Sequence, residues 1–198
     1  MYMQAAYIVN KVPDAKVLVD PMRRAILGFL RERPMTQAQL AEELGLSNAS
    51  LNYHMNILRD NGLVNVTKSI AEEHGIIQKF FSSIAYLFVY DIDSIPKDLS
   101  RYFYPISLER ARTFVSLLMM ENKSKAQSLL RIEGHEDINK ISASLSRLLV
   151  SVAKQYVQKR ASYGDERIVY EIYTKAFNLL LKERAQVAAL IKNIKKSR

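Results

Sequence analysis

Asn52, Tyr53, Asn56 and Arg59 carry the side chains best suited to chemistry in this chain, and that chemistry is recognition rather than bond breaking. A carboxamide can pair bidentately with adenine, a guanidinium can pair with guanine or phosphate, and the methyl of Ala49 can touch a thymine methyl. At about 100° per residue these positions fall on one face of a helix, while Leu51, Met55 and Leu58 fall on the other. Ser47, Asn48 and Ser50 stand at the start of that helix, where they suit phosphate oxygens. Lys68 and Lys79 suit the same task further along the chain. Together these residues are the candidate contacts to double-stranded DNA; a helical hairpin with a merely solvated polar face is the alternative.

Catalysis has no comparable set. His54, His74 and His135 are scattered without ligand-like spacing, and there is no glycine-rich phosphate loop, GxSxG elbow or HExxH pair. His54 lies at the edge of the apolar stripe, placed to pack or to donate to a phosphate. His135, Glu136 and Asp137 point in different directions from a helix start and read as an N-terminal cap. No catalytic residue, metal site or cofactor is expected, and the chain is not expected to be an enzyme. Zero cysteines excludes disulfides and thiolate metal or redox sensing.

The elements that position the polar face are legible around it. Thr36 can cap a helix with Gln39 reaching back in a capping box, Leu40 and Leu44 form its inner ridge, and Gly45 stops it. Leu46 is the turn residue and Ser47 caps the next helix, which ends at Asn61-Gly62. Val64 and Val66 then alternate with Asn65 and Thr67, a strand pattern, and IIQKFFSS fits a returning strand. A helix-turn-helix followed by a hairpin is a winged helix. Glu72 and Glu73 at the hairpin tip would repel phosphate, so wing contacts fall to Lys68, His74 or Lys79.

The segment DPMRRAILGFLRERPMTQAQLAEELGLSNASLNYHMNILRDNGLV resembles the DNA-binding domain of ArsR-type winged-helix transcription regulators, especially helix-rich archaeal members. The resemblance covers roughly residues 14 to 83. It rests on Asp20-Pro21 with Arg23, Arg24, Ile26 and Leu30, on Leu40-Ala41, on Ser47 through His54, and on Leu58 with Gly62-Leu63-Val64. It implies a dimeric regulator whose helix 47 to 60 reads the major groove. It does not supply the signal, and any small-molecule effector is left unidentified.

The chain has 198 residues and 48% hydrophobic content, enough for a winged domain and a second module. The expected fold is mainly α with a small β-hairpin wing: a winged helix-turn-helix domain in 1–90, a connector in 91–106 and a helical dimerisation or sensor module in 107–198. Residues 1 to 12 lack a clear period and read as an extra helix or arm. Of the net charge of +9, residues 1–90 hold 9 basic and 8 acidic groups, so the basic excess lies in the tail. That tail either adds sequence-independent attraction to DNA or presents ordinary solvated helix faces.

In the tail, Asn122 is a possible helix break and Gly134 a plausible cap. Ile138, Ile141, Leu145, Leu148, Val152 and Tyr156 form one stripe, and Tyr173, Phe177, Leu180, Val187, Ile191 and Ile194 form another. Asp165 caps the second helix, making an antiparallel pair. Leu149, Leu179, Leu181 and Leu190 lie off these seams, which favours a homodimer built on residues 136–160 and 166–194; a monomeric four-helix bundle is the alternative. Tyr102, Phe103, Tyr104, Phe114, Met119 and Met120 are candidates to line an effector cavity or to form plain core. No signal peptide or membrane span is expected, and a DNA reader belongs in the cytoplasm. An architectural nucleic-acid binder and a winged-helix protein-interaction module are the competing functions.

Overall fold

A computed structural model describes the backbone of residues 2–71, 77–130 and 135–196, and their side chains except in 122–130, 135–136 and 186–196. Glu72, Glu73, His74, Gly75 and Gly134 lie outside the described residues, as do the side chains of His135, Glu136, Val187, Leu190, Ile191 and Ile194. The order of elements is β1 (Tyr2–Val9), α1 (Val12–Leu18), α2 (Pro21–Glu32), α3 (Gln37–Leu44), α4 (Asn48–Asp60), β2 (Val64–Ala71), β3 (Ile77–Ser83), β4 (Ala85–Tyr90), α5 (Lys97–Ser100), α6 (Tyr104–Leu130), α7 (His135–Ala153), β5 (Arg160–Ser162) and α8 (Arg167–Lys196). The architecture is a winged helix-turn-helix unit followed by a helical part, as the sequence pattern implies.

Local signals set the winged unit. Asp20 accepts hydrogen bonds from the Met22 and Arg23 amides with Pro21 in the first turn of α2, relieving two of the amides that a helix start leaves unpaired. Thr36 and Gln39 form the reciprocal capping box of α3, which ends on Gly45 at φ 63°, a left-handed conformation that costs a glycine little. Ser47 caps α4. Ile26, Leu30, Leu40, Leu51, Met55, Leu58 and Leu63 fill the core between these helices. β2 pairs antiparallel with β3, and Met35 adds a bridge to Phe81. A register shift between Val66 and Lys68 leaves Val66 46% exposed, so it is not the core residue that simple alternation predicts.

Within the stretch expected to be an extra helix or arm, residues 2 to 9 form a strand instead. β1 is the central strand of a three-stranded sheet, parallel to β4 and antiparallel to β5, in the order β4-β1-β5. A strand buried on both faces has a continuous apolar run rather than alternation, which is why MQAAYIV shows no period. Residues 10 to 84, the whole winged unit, form the crossover that two parallel strands require.

Two cores meet at this sheet. Tyr7, Val9, Phe88 and Tyr90 pack with the winged core, and Ala6, Ile8, Leu87 and Val89 pack with α6, α7 and α8. The segment expected as a plain connector holds α5 and places Ile92, Ile95 and Phe103 in the winged core, with Phe103 stacked 4.2 Å from Tyr90. α6 starts at Tyr104 and runs through Asn122 without a break. α7 ends at Ala153, short of the expected residue 160, and passes through one 3-10 turn into β5.

Among the described side chains of α8 the fully buried ones are Ile172, Ala176 and Leu180, flanked by the partly buried Tyr173 and Phe177 of the predicted seam. Leu149 is buried inside the chain. Tyr102, Tyr104 and Met120 are exposed, Phe103 belongs to one core and Phe114 to the other, so these residues line no common cavity. Among the described residues no helix is long and apolar enough to cross a membrane.

Phe103 ties the post-wing segment to the head, and deleting its ring leaves a large void. Phe103→Ala should lower unfolding free energy by about 3 to 5 kcal/mol, read as an earlier midpoint in urea with an unchanged slope. A loss within a few tenths would mean that the segment is not part of the cooperative core.

Candidate nucleic-acid interface

α4 is held from below and open above. Leu51, Met55 and Leu58 are buried, whereas Asn48, Ala49, Asn52, Tyr53 and Arg59 are exposed and Ser50 and Asn56 are half-buried. The Tyr53 ring is 63% exposed and meets only the edge of His54. An aromatic ring left this open beside two carboxamides has no packing role, which leaves it free for a partner surface.

The Ser47 hydroxyl accepts from the Ser50 amide at 3.2 Å, so its first task is the cap. The next amides, of Asn48 and Ala49, have no hydrogen-bond partner among the described residues, and the positive end of the helix dipole adds to them. An anion such as a phosphate suits this end.

Asn52 is not a free rotor. Its Oδ1 accepts from Nε2 of Gln37 at 3.3 Å, across the turn from the first residue of α3. Sequence reasoning missed Gln37. It is three residues before Leu40 on α3, and only the docking of α3 on α4 brings it to the polar face. The pair leaves the Asn52 amide nitrogen and the Gln37 carbonyl as an outward donor and acceptor. Arg59 lies at the far end of the helix, 3.7 Å from Asp60, and both are exposed.

The two wing lysines part company. Ser69 pairs with Lys79, and Lys68 with Phe80; residues paired across an antiparallel ladder share a face and neighbours alternate. Lys79 therefore shares a face with Ile77 and Phe81. With Thr36, Gln37 and Ala38 these residues line a cleft of about 420 Å³ between α3 and the wing. Lys68 is on the opposite face, its ammonium 5.6 Å from the Phe80 ring centroid. Lys79, Gln37 and Asn52 thus lie on one continuous surface, and Lys68 does not.

His54 does not turn to the outer face. Its Nδ1 is 3.7 Å from Asp20, too far for a hydrogen bond, and the side chain is 15% exposed. Nδ1 of His54 and Nε of Arg23 are both buried without a hydrogen-bond partner beside that carboxylate. Packing between α2 and α4, rather than phosphate donation, is its place. No group of three or more histidine, aspartate or glutamate side chains among the described residues is arranged to hold a metal ion.

Residues 18–67 match a family model described as "Helix-turn-helix domain". Over 50 residues the chain is 36% identical to the transcriptional repressor SdpR of Bacillus subtilis (strain 168), a stretch that is 25% of this chain and 56% of that protein. The chain thus spans little more than half the length of the curated relative it matches. The segment matched by the family model, residues 18–67, spans α2, α3, α4 and the first half of the first wing strand, and so includes the helix that carries the polar face. Residues 18–67 are therefore similar to known helix-turn-helix domains, and the relative that shares such a stretch is a transcriptional repressor.

Proposed function

We propose that this chain is a sequence-specific DNA-binding transcription regulator acting as a homodimer, with α4 in the major groove of double-stranded DNA. The observation that carries this reading is the outer face of α4, where Asn52, Tyr53 and Asn56 stand on a helix fixed at both ends. Asn52 and Asn56 or Tyr53 read base edges; Ser47, Asn48 and Ser50 position the helix on phosphates; Arg59 reaches the backbone beyond. Lys79 adds a phosphate contact on the same surface and Lys68 meets the backbone only from the far side of the wing. The role is non-catalytic and needs no cofactor, and binding to chromosomal DNA places the protein in the cytoplasm.

Charge favours a second reading to be tested beside it. The head carries almost as many acidic as basic groups, which suits a protein-interaction module better than an electrostatic DNA clamp. Selection of bound fragments from genomic DNA decides between them. Recovery of one motif, bound far more tightly than random duplex at the same salt, is expected; no binding to either duplex at low salt would favour the interaction module, and equal binding to both an architectural role.

Replacing Asn52 or Asn56 by alanine should cost about 1 to 3 kcal/mol at one base position, measured by anisotropy on the selected site and its single-base variants. Gln37→Ala should weaken the same base preference as Asn52→Ala, by less. Unchanged preference in all three variants would remove these carboxamides from the site.

Lys79→Ala should weaken binding to every sequence alike and lower the salt slope by roughly one phosphate, and Lys68→Ala should do less. The reverse order in salt titrations would place the duplex on the other face of the wing.

Two heads about 34 Å apart reach successive major grooves, and linking them raises the effective concentration of the second. The expected interface on α7 and α8 needs adjustment, because Ile141, Leu145, Leu149 and Val152 of α7 are covered within the chain. Among the described residues, Leu117 and Met120 of α6 and Tyr170 and Leu179 of α8 are large apolar side chains left exposed. Sedimentation at micromolar concentration should give a dimer, and Leu117→Glu with Met120→Glu should give a monomer that binds a palindromic site weakly. A monomeric parent chain would overturn the assembly.

A further inference from the structure

Between the head and the helical layer lies a pocket of about 160 Å³, walled by α2, β4 and α6. Arg24 and Gly28 of α2, Phe88 and Tyr90 of β4, and Ile106 and Arg110 of α6 line it. The two arginines are unusual in their partners. Arg24 donates to the Leu18 and Val19 carbonyls at the end of α1, and Arg110 lies over the Tyr173 ring. Neither has a carboxylate partner among the described residues, whereas nearby Arg31 is already paired with Glu32 and Glu166.

Tyr90 adds an independent sign. It is only 9% exposed, yet its hydroxyl has no hydrogen-bond partner among the described residues. Burial raises its phenol above the ordinary range, with Arg24 and Arg110 acting against that rise, so the hydroxyl lies within electrostatic reach of both guanidinium groups. Its oxygen is not one of the fully buried unpaired atoms, so it opens into the pocket that Tyr90 lines. An accessible hydroxyl donor beside two half-buried guanidinium groups suits an anionic oxygen.

Gly28 points the same way. It stands in the middle of α2, where glycine costs about 1 kcal/mol relative to alanine, and a Cβ built on it meets nothing within 4 Å. No packing conflict or unusual backbone angle requires glycine there. Its effect is to keep the pocket open.

We propose that this pocket binds a small organic carboxylate, its oxygens held by Arg24, Arg110 and the Tyr90 hydroxyl and its apolar body against Phe88 and Ile106. A cavity of about 150 Å³ accommodates benzene, so the body is about one six-membered ring. A guanidinium pair with an adjacent hydroxyl donor suits the planar, two-oxygen geometry of a carboxylate. The bound molecule would touch both the head and the helical layer.

Calorimetry on the full chain with benzoate, benzamide and inorganic phosphate tests this without reference to DNA, so its failure and that of the DNA-binding reading remain separate. Benzoate should bind one per chain at millimolar concentration or tighter, with benzamide and phosphate weaker by roughly tenfold or more. Arg110→Gln and Tyr90→Phe should each weaken benzoate, while Tyr90→Phe keeps the stack on Phe103. Gly28→Leu should abolish binding in a chain whose melting temperature is unchanged or higher, because leucine is the better helix former. No benzoate binding, equal binding of benzamide or phosphate, or full binding by Gly28→Leu would each overturn the assignment.

Discussion

Pairing the first strand of the chain with the strand that follows the wing leaves β1 buried on both faces, and such a strand needs a hydrophobic layer on each side. The helix-turn-helix unit supplies one layer and α6, α7 and α8 supply the other. Ala5 and Ala6, fully buried in the middle of β1, set how closely the layers approach. The head is therefore not a bead on a linker. Its crossover position between β1 and β4 fixes both of its ends to the same sheet, and Phe103 adds a third attachment after the wing.

This attachment bears on recognition. A base-reading side chain must be held to a fraction of an ångström for its hydrogen bonds to discriminate. α4 is held by three buried side chains, by the Ser47 cap and by the Gln37 bond to Asn52. A cap contributes about 0.5 to 2 kcal/mol and each buried leucine more, so burial fixes the helix and the caps trim its ends. The near-balance of charge in the head means that few phosphate contacts are available to one head. On the proposed function, specific binding by such a unit would draw on base contacts and on joining two heads rather than on general electrostatic attraction.

The joint between the layers is also where polar groups are least completely matched. Glu32, Glu166, Arg31 and the Tyr86 hydroxyl satisfy one another at one end, while Arg24, Arg110 and Tyr90 at the other end do not. Rigid attachment and an open polar pocket at the same seam place any bound molecule against elements that also orient α4, since α2 packs directly on α4.

Local chemistry in the sequence determined the helix-turn-helix and the wing: Thr36 with Gln39, Gly45, Ser47 and Gly62 mark element ends, and the spacing of Leu51, Met55 and Leu58 defines which face of α4 is free. These signals act over a few residues and survive without knowledge of the rest of the chain. Tertiary structure alone decided the place of residues 2–9, because a strand covered on both faces has no period to read. It also decided the partnership of Gln37 with Asn52, which depends on how α3 docks on α4, and the opposite facing of Lys68 and Lys79, which depends on a one-residue register shift after Val66. The pocket lined by Arg24, Gly28, Tyr90 and Arg110 belongs to the same class: its residues are up to 86 positions apart in sequence and meet only because β4 carries the head and the helical layer on one sheet.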